Sequence, residues 1–225
     1  DDMAYEFIKV SITAYSLTAI LGGVLVFSLV LFYPHLFTYL STVFRGSMFY
    51  YALLFFAESA ALYIYYYGWH WLQGGFRKWV HLSLGLLLNA VGTALMLLAN
   101  AWLTFMMSPA GVDAAGVFGG NEWAAIHNFL WNPINIHRFV ANIAYGGSIV
   151  GAYAAFKFLT ATGPQERAHY DWMGYNANFI AICALLPLPF AGYYLAAEIY
   201  AYSQQMGITL MGGIFAWLFI IQAVL

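Results

Sequence analysis

One carboxylate stands inside a long aromatic run, Phe55-Phe56-Ala57-Glu58-Ser59, which is followed by Tyr67-Gly68-Trp69. A carboxyl group at bilayer depth costs several kcal/mol unless it is paired, hydrated or protonated, so Glu58 marks a functional site by default. Tyr50, Tyr51, Tyr63, Tyr65, Tyr66 and Tyr67 lie on the same segment. Tyrosine hydroxyls both donate and accept hydrogen bonds, so tyrosines beside a buried acid could hold it and relay protons to it. The competing reading is a structural carboxyl bonded to a neighbouring helix or subunit.

Histidine is the second candidate for chemistry, because it ligates haem in membrane electron carriers. In the helix arrangement set out below, His35, His127 and His137 fall toward one side of the membrane. His70, His81 and His169 fall toward the other. A bis-histidine haem needs two imidazoles facing each other at similar depth, and His81 and His137 start their helices on opposite sides. No pair of helices repeats the two-histidine spacing that would sandwich a haem. Each histidine alone is more often interfacial or hydrogen-bonded, and Gly68-Trp69-His70-Trp71 reads as an interfacial anchor. The single cysteine, Cys183, excludes an intrachain disulfide and a cysteine metal site, and in its apolar run it reads as an inert buried thiol. There is no phosphate loop, no Ser/His/Asp arrangement, no CxxC and no CxxCH, and no protein-ligated metal site is expected outside haem.

The elements that must position these residues are membrane helices. Hydrophobic residues make up 64% of the 225-residue chain and charged residues only 7%, a balance outside that of soluble domains. The 18 Tyr and 8 Trp suit membrane interfaces. A net charge of -2 argues neither for nor against a partner, and nothing in the chain points to nucleic acid. The N-terminal residues Asp1-Asp2-Met3-Ala4-Tyr5-Glu6 lack a basic n-region and a cleavage site, so the first apolar segment is expected to be retained. A hydrocarbon core of roughly 30 Å needs about 20 helical residues. Six segments meet that length, near residues 7–33, 46–72, 78–107, 135–161, 171–196 and 207–225, within one transmembrane domain covering 1–225.

Turn chemistry separates these segments: Pro34, Arg45-Gly46, Gly74-Gly75 and Gly163-Pro164. Pro187 and Pro189 are expected to kink the fifth helix. The longest loop, 108–133, is expected to hold a short interfacial helix over 121–130 with Asn121 as its cap. Lys9, Arg77, Lys78, Lys157 and Arg167 fall on one side, against Arg45 and Arg138 on the other. That bias puts the first group and both termini in the cytoplasm and the long loop outside. Leu225 falls inside an apolar run, which leaves open whether the chain continues beyond it.

Several motifs now coincide. The Phe55-Phe56-Ala57-Glu58-Ser59 and Gly68-Trp69 pair resembles the FFLES…GW segment of subunit I of cytochrome bd quinol oxidases. Leu98-Ala99-Asn100-Ala101-Trp102 with Ser108-Pro109-Ala110-Gly111 is similar to that family's ANSWMQTPVG helix end. Asn132-Pro133, Arg138-Phe139-Val140 and Gly151-Ala152 resemble its NP…RF…GA helix. The resemblance runs over about residues 20–160. It implies an all-α integral membrane protein of about six transmembrane helices in a bd-oxidase subunit I-like bundle, in a prokaryotic inner membrane.

The departures from the family pattern are as informative as the matches. The family's first helix, with its haem-ligating histidine, has no counterpart. The family's carboxylate near the oxygen-reducing haem falls on Tyr50, its low-spin haem histidine on Ala141, and the acid after Gly-Trp on His70. Gln204-Gln205-Met206-Gly207-Ile208-Thr209-Leu210-Met211-Gly212 resembles the quinol-loop region with glycines in place of its lysine and glutamate. Glu58, a proton-path position in the family, keeps its acid. His137, four residues before Ala141, shares its helix face about 5.4 Å away and could ligate a displaced haem b. Met106 and Met107 lie toward the same side as thioether candidates.

The resemblance therefore implies a respiratory-complex subunit that has lost much or all of the haem set and retains a proton path through Glu58. Its expected partners are lipid, a quinone and other membrane subunits, including a complete subunit I-like copy. It would serve an oxidoreductase complex rather than act as a catalyst alone. The alternatives are a self-sufficient haem-containing quinol oxidase or dehydrogenase subunit, and a proton-conducting or structural membrane subunit.

Overall fold

The computed structural model describes residues 2–213, 216–218 and 220–221. These form nine helices: α1 (Asp2–Phe32), α2 (Pro34–Val43), α3 (Arg45–Tyr67), α4 (Gly75–Met107), α5 (Glu122–Ile126), α6 (Trp131–Thr160), α7 (Pro164–Leu185), α8 (Leu188–Tyr202) and α9 (Gln204–Gly212). Five stretches among the described residues are long and apolar enough to cross a membrane: Met3–Phe32, Arg45–Tyr67, Gly75–Met107, Trp131–Thr160 and Pro164–Tyr202. The expected all-α membrane architecture holds. Of the sixth expected segment, 207–225, the part up to Gly212 belongs to α9, and several of its later residues lie outside those described.

Proline and glycine set most boundaries. Pro34 does not merely end α1; it is the first residue of α2, where its missing N–H is one the helix would leave free anyway. Gly74 and Gly75 have φ of 87° and 51°, a left-handed turn that glycine makes without a Cβ penalty where the chain enters α4. The fifth span begins earlier than hydropathy suggests, at Pro164, and is divided in two as expected: α7 stops at Leu185 and α8 restarts behind Pro187. The interfacial helix is shorter than expected, α5 covering Glu122–Ile126 alone, but Asn121 does cap it, its Oδ1 accepting the Ala124 N–H at 3.1 Å.

The described chain divides into two compact units. One holds the chain up to Trp102 together with Gly111–Ile126, and the other holds Leu103–Ala110 and the chain from His127 on. In the first, Ile8, Leu62 and Trp69 form a buried cluster covered by Tyr5, Ile12, Tyr15, Tyr65, Tyr66 and Leu88. In the second, α6 and α7 pack closest. A Cβ on Gly147 would come within 2.9 Å of both the Ala177 carbonyl oxygen and the Ala181 nitrogen, so two backbones meet there with no room for a side chain. Such close approach through small residues is how membrane helices gain packing without a hydrophobic driving force. Apolar side chains remain exposed along the spans, Leu17, Leu21, Phe27, Leu86 and Phe190 among them, as lipid contact requires. Cys183 is exposed on α7, so the expectation of a buried thiol is corrected: being in an apolar run placed it on an apolar surface instead.

Candidate functional site

Glu58 lies near the middle of α3 and is half-buried. Its carboxyl rests on α4 at Gly92: a Cβ built there would lie 2.7 Å from Glu58 Oε1 and 3.8 Å from its Cδ, with nothing else within 4 Å. Tyr51 and Tyr65 stand seven residues before and after Glu58, two helical turns along the same face. Each meets α4. Tyr51 packs on Trp102 with ring centroids 4.8 Å apart, and Tyr65 stacks on His81 at 4.1 Å. The three contacts run in reverse order along α4, so α3 and α4 are antiparallel here, with aromatic layers above and below the acid.

This arrangement corrects one expectation. Among the described residues no tyrosine hydroxyl bonds the Glu58 carboxyl, and the acid has no ion-pair partner. Residues seven apart are separated by about 10 Å along the axis, so a proton moving along this face needs water between the groups. The adjacent Ser59 takes part in a different contact. Its hydroxyl donates to the Phe55 carbonyl at 2.8 Å, which leaves the Tyr15 hydroxyl of α1 as donor to Ser59 Oγ at 2.6 Å. His81, 7% exposed, bonds the Tyr65 carbonyl through Nε2 at 2.9 Å and abuts Trp69. Of the two roles expected of a lone histidine, interfacial or hydrogen-bonded, His81 takes the second, and it is buried. In the anchor motif, Trp69 is buried and Trp71 exposed.

Two acids were passed over in the sequence. Glu122 reaches the start of α3, accepting the Gly46 N–H at 3.1 Å and the Ser47 N–H at 2.7 Å. Its signal was a capping residue displaced far along the chain. Glu198 sits half-buried in the apolar helix α8, where the same argument that singled out Glu58 applies.

The second candidate, His137, lies in the first half of α6, half-buried, with its Cδ2–Nε2 edge on α8: both atoms would be 3.7 Å from a Cβ on Gly192. That edge of the ring is therefore packed against α8. Ala141, one turn along, offers no donor, and Met106 is exposed at the end of α4. Tyr50 is exposed as well. No group of three or more His, Cys, Asp or Glu side chains suited to a metal occurs among the described residues.

A multi-pass helical membrane protein with an acid seated between two spans is the class that this geometry defines. A family model for cytochrome bd terminal oxidase subunit I matches residues 1–217 of the 225, and the chain belongs to that family. No curated protein and no solved structure matches it. Membership makes it a bd-type respiratory membrane subunit, of a family that normally binds haem and works with membrane-complex partners.

Proposed function

We propose that this chain is a bd-like subunit of a respiratory electron-transfer complex in a prokaryotic inner membrane, with both termini cytoplasmic. It supplies a proton path through Glu58 while lacking much or all of the family's haem set. The observation that carries this reading is the seat of Glu58: a carboxyl at mid-span, without an ion-pair partner, held in a recess of α4 between two tyrosine layers. A purely structural acid would be expected to bond its neighbours, because an unpaired acid in lipid is expensive. An acid that exchanges protons must instead leave its oxygens accessible to water.

The altered haem positions support the second half of the reading. Tyr50 and Ala141 supply no imidazole or carboxylate at those family positions and the His137 ring faces α8, so the complex's electron transfer is assigned to partner subunits, a complete subunit I-like copy foremost. The decisive measurement is proton uptake by the intact complex in liposomes after Glu58→Gln. Slowing by about 10²-fold, the low end of what a proton-transfer group contributes, is expected. Unchanged uptake would remove the proton path and leave a structural subunit.

A further inference from the structure

We infer that Gly92 is a positioning residue: the missing side chain on α4 is what fixes where the Glu58 carboxyl sits, an inference that rests on the proton-path reading for its functional consequence. A methyl group at residue 92 would meet nothing within 4 Å except Glu58, at 2.7 Å from Oε1, whereas ordinary contact begins near 3.4 Å. The carboxyl would have to withdraw by about 0.7 Å to reach ordinary contact. It can, because it is the far end of a flexible side chain.

The neighbouring layers do not depend on residue 92. Tyr51 on Trp102 and Tyr65 on His81 hold the α3–α4 spacing above and below, and the Tyr15–Ser59 hydrogen bond ties α3 to α1. Gly147 is the opposite case, since its Cβ would strike the backbone of α7 at Ala177 and Ala181. Alanine at 147 disturbs helices; alanine at 92 disturbs one acid. Gly92 therefore sets the position of the acid rather than the stability of the bundle, and it does so from a helix that carries no acid of its own.

The test is a cycle in the intact complex between Gly92→Ala and Glu58→Asp. Gly92→Ala is expected to shift the infrared carboxyl or carboxylate band that disappears in Glu58→Gln, to leave the melting temperature unchanged, and to slow proton uptake by about ten- to a hundredfold, as sub-ångström to ångström misplacements do. Aspartate is one methylene shorter and removes the overlap, so adding Gly92→Ala to Glu58→Asp is expected to have no further effect on band or rate. An unshifted band, or an equal loss from Gly92→Ala in both backgrounds, would overturn the assignment. So would failure of both Gly92→Ala and the double variant to assemble. If Glu58→Gln left uptake unchanged, the proton-path reading would fall while the infrared cycle would still decide the placement.

Discussion

At the residue scale, two carboxylates rest against glycines and the backbone around each decides its job. Glu122 lies on Gly46 at the start of α3, where a helix leaves four N–H groups without intrahelical partners and its dipole favours negative charge. Glu58 lies on Gly92 at mid-helix, where every backbone donor is already engaged. Only the first can act as a cap. Glu122→Ala is expected to cost about 1 kcal/mol locally, read as roughly fivefold faster amide exchange at Gly46 and Ser47. Exchange at the wild-type rate would show that the cap holds nothing. Glu58 was legible from sequence because an acid in an apolar run is rare. Glu122 was not, because the amides it serves lie 76 and 75 residues earlier in the chain. The tyrosines of α3 were over-read for a related reason: sharing a helix face with an acid is not the same as reaching it.

At the element scale, hydropathy found the spans and mislaid their ends. The first two turns of α1 and the first turn of α7 carry Glu6, and Glu166 with Arg167, which an apolar window excludes though the helix continues through them. Proline after an apolar run signals a stop, which hides α2 in the sequence, yet the same ring that ends one helix pre-forms the first turn of the next. What no pattern reveals is which small residue is the contact. Gly146 and Gly147 are adjacent in α6, yet a Cβ on Gly146 would meet nothing within 4 Å while one on Gly147 would meet two backbone atoms at 2.9 Å. Alanine is the better helix former, so Gly146→Ala is expected to stabilise by up to about 1 kcal/mol. Gly147→Ala is expected to destabilise by about 1–3 kcal/mol through overpacking that no rotamer can relieve. Unfolding in detergent measures both, and equal effects at the two positions would refute the α6–α7 contact as described.

At the scale of the whole molecule, the family supplies the layout of spans and this chain's own residues decide what the layout holds. Three polar side chains on different helices each rest against a glycine of a neighbouring helix: Glu58 on Gly92, the His137 ring on Gly192, and Asn178 on Gly151, where a Cβ would lie 2.6 Å from the amide oxygen. The edge of the His137 ring that carries Nε2 lies against α8 at Gly192. The reading proposed above therefore predicts that His137→Ala leaves the reduced-minus-oxidised spectrum of the intact complex unchanged, and that any b-type signal follows partner subunits when the complex is taken apart. Loss of a b-type band on His137→Ala would mean that α8 moves aside to admit a haem, and the self-sufficient haem-containing subunit would then be the better account. The two outcomes also diverge in stability. A ligating histidine would couple cofactor loss to unfolding, because a group that binds only the folded state stabilises it. A histidine packed on Gly192 would lose only its local contacts, so the melting temperature of the His137→Ala complex separates the cases even where its spectrum is crowded by partner haems.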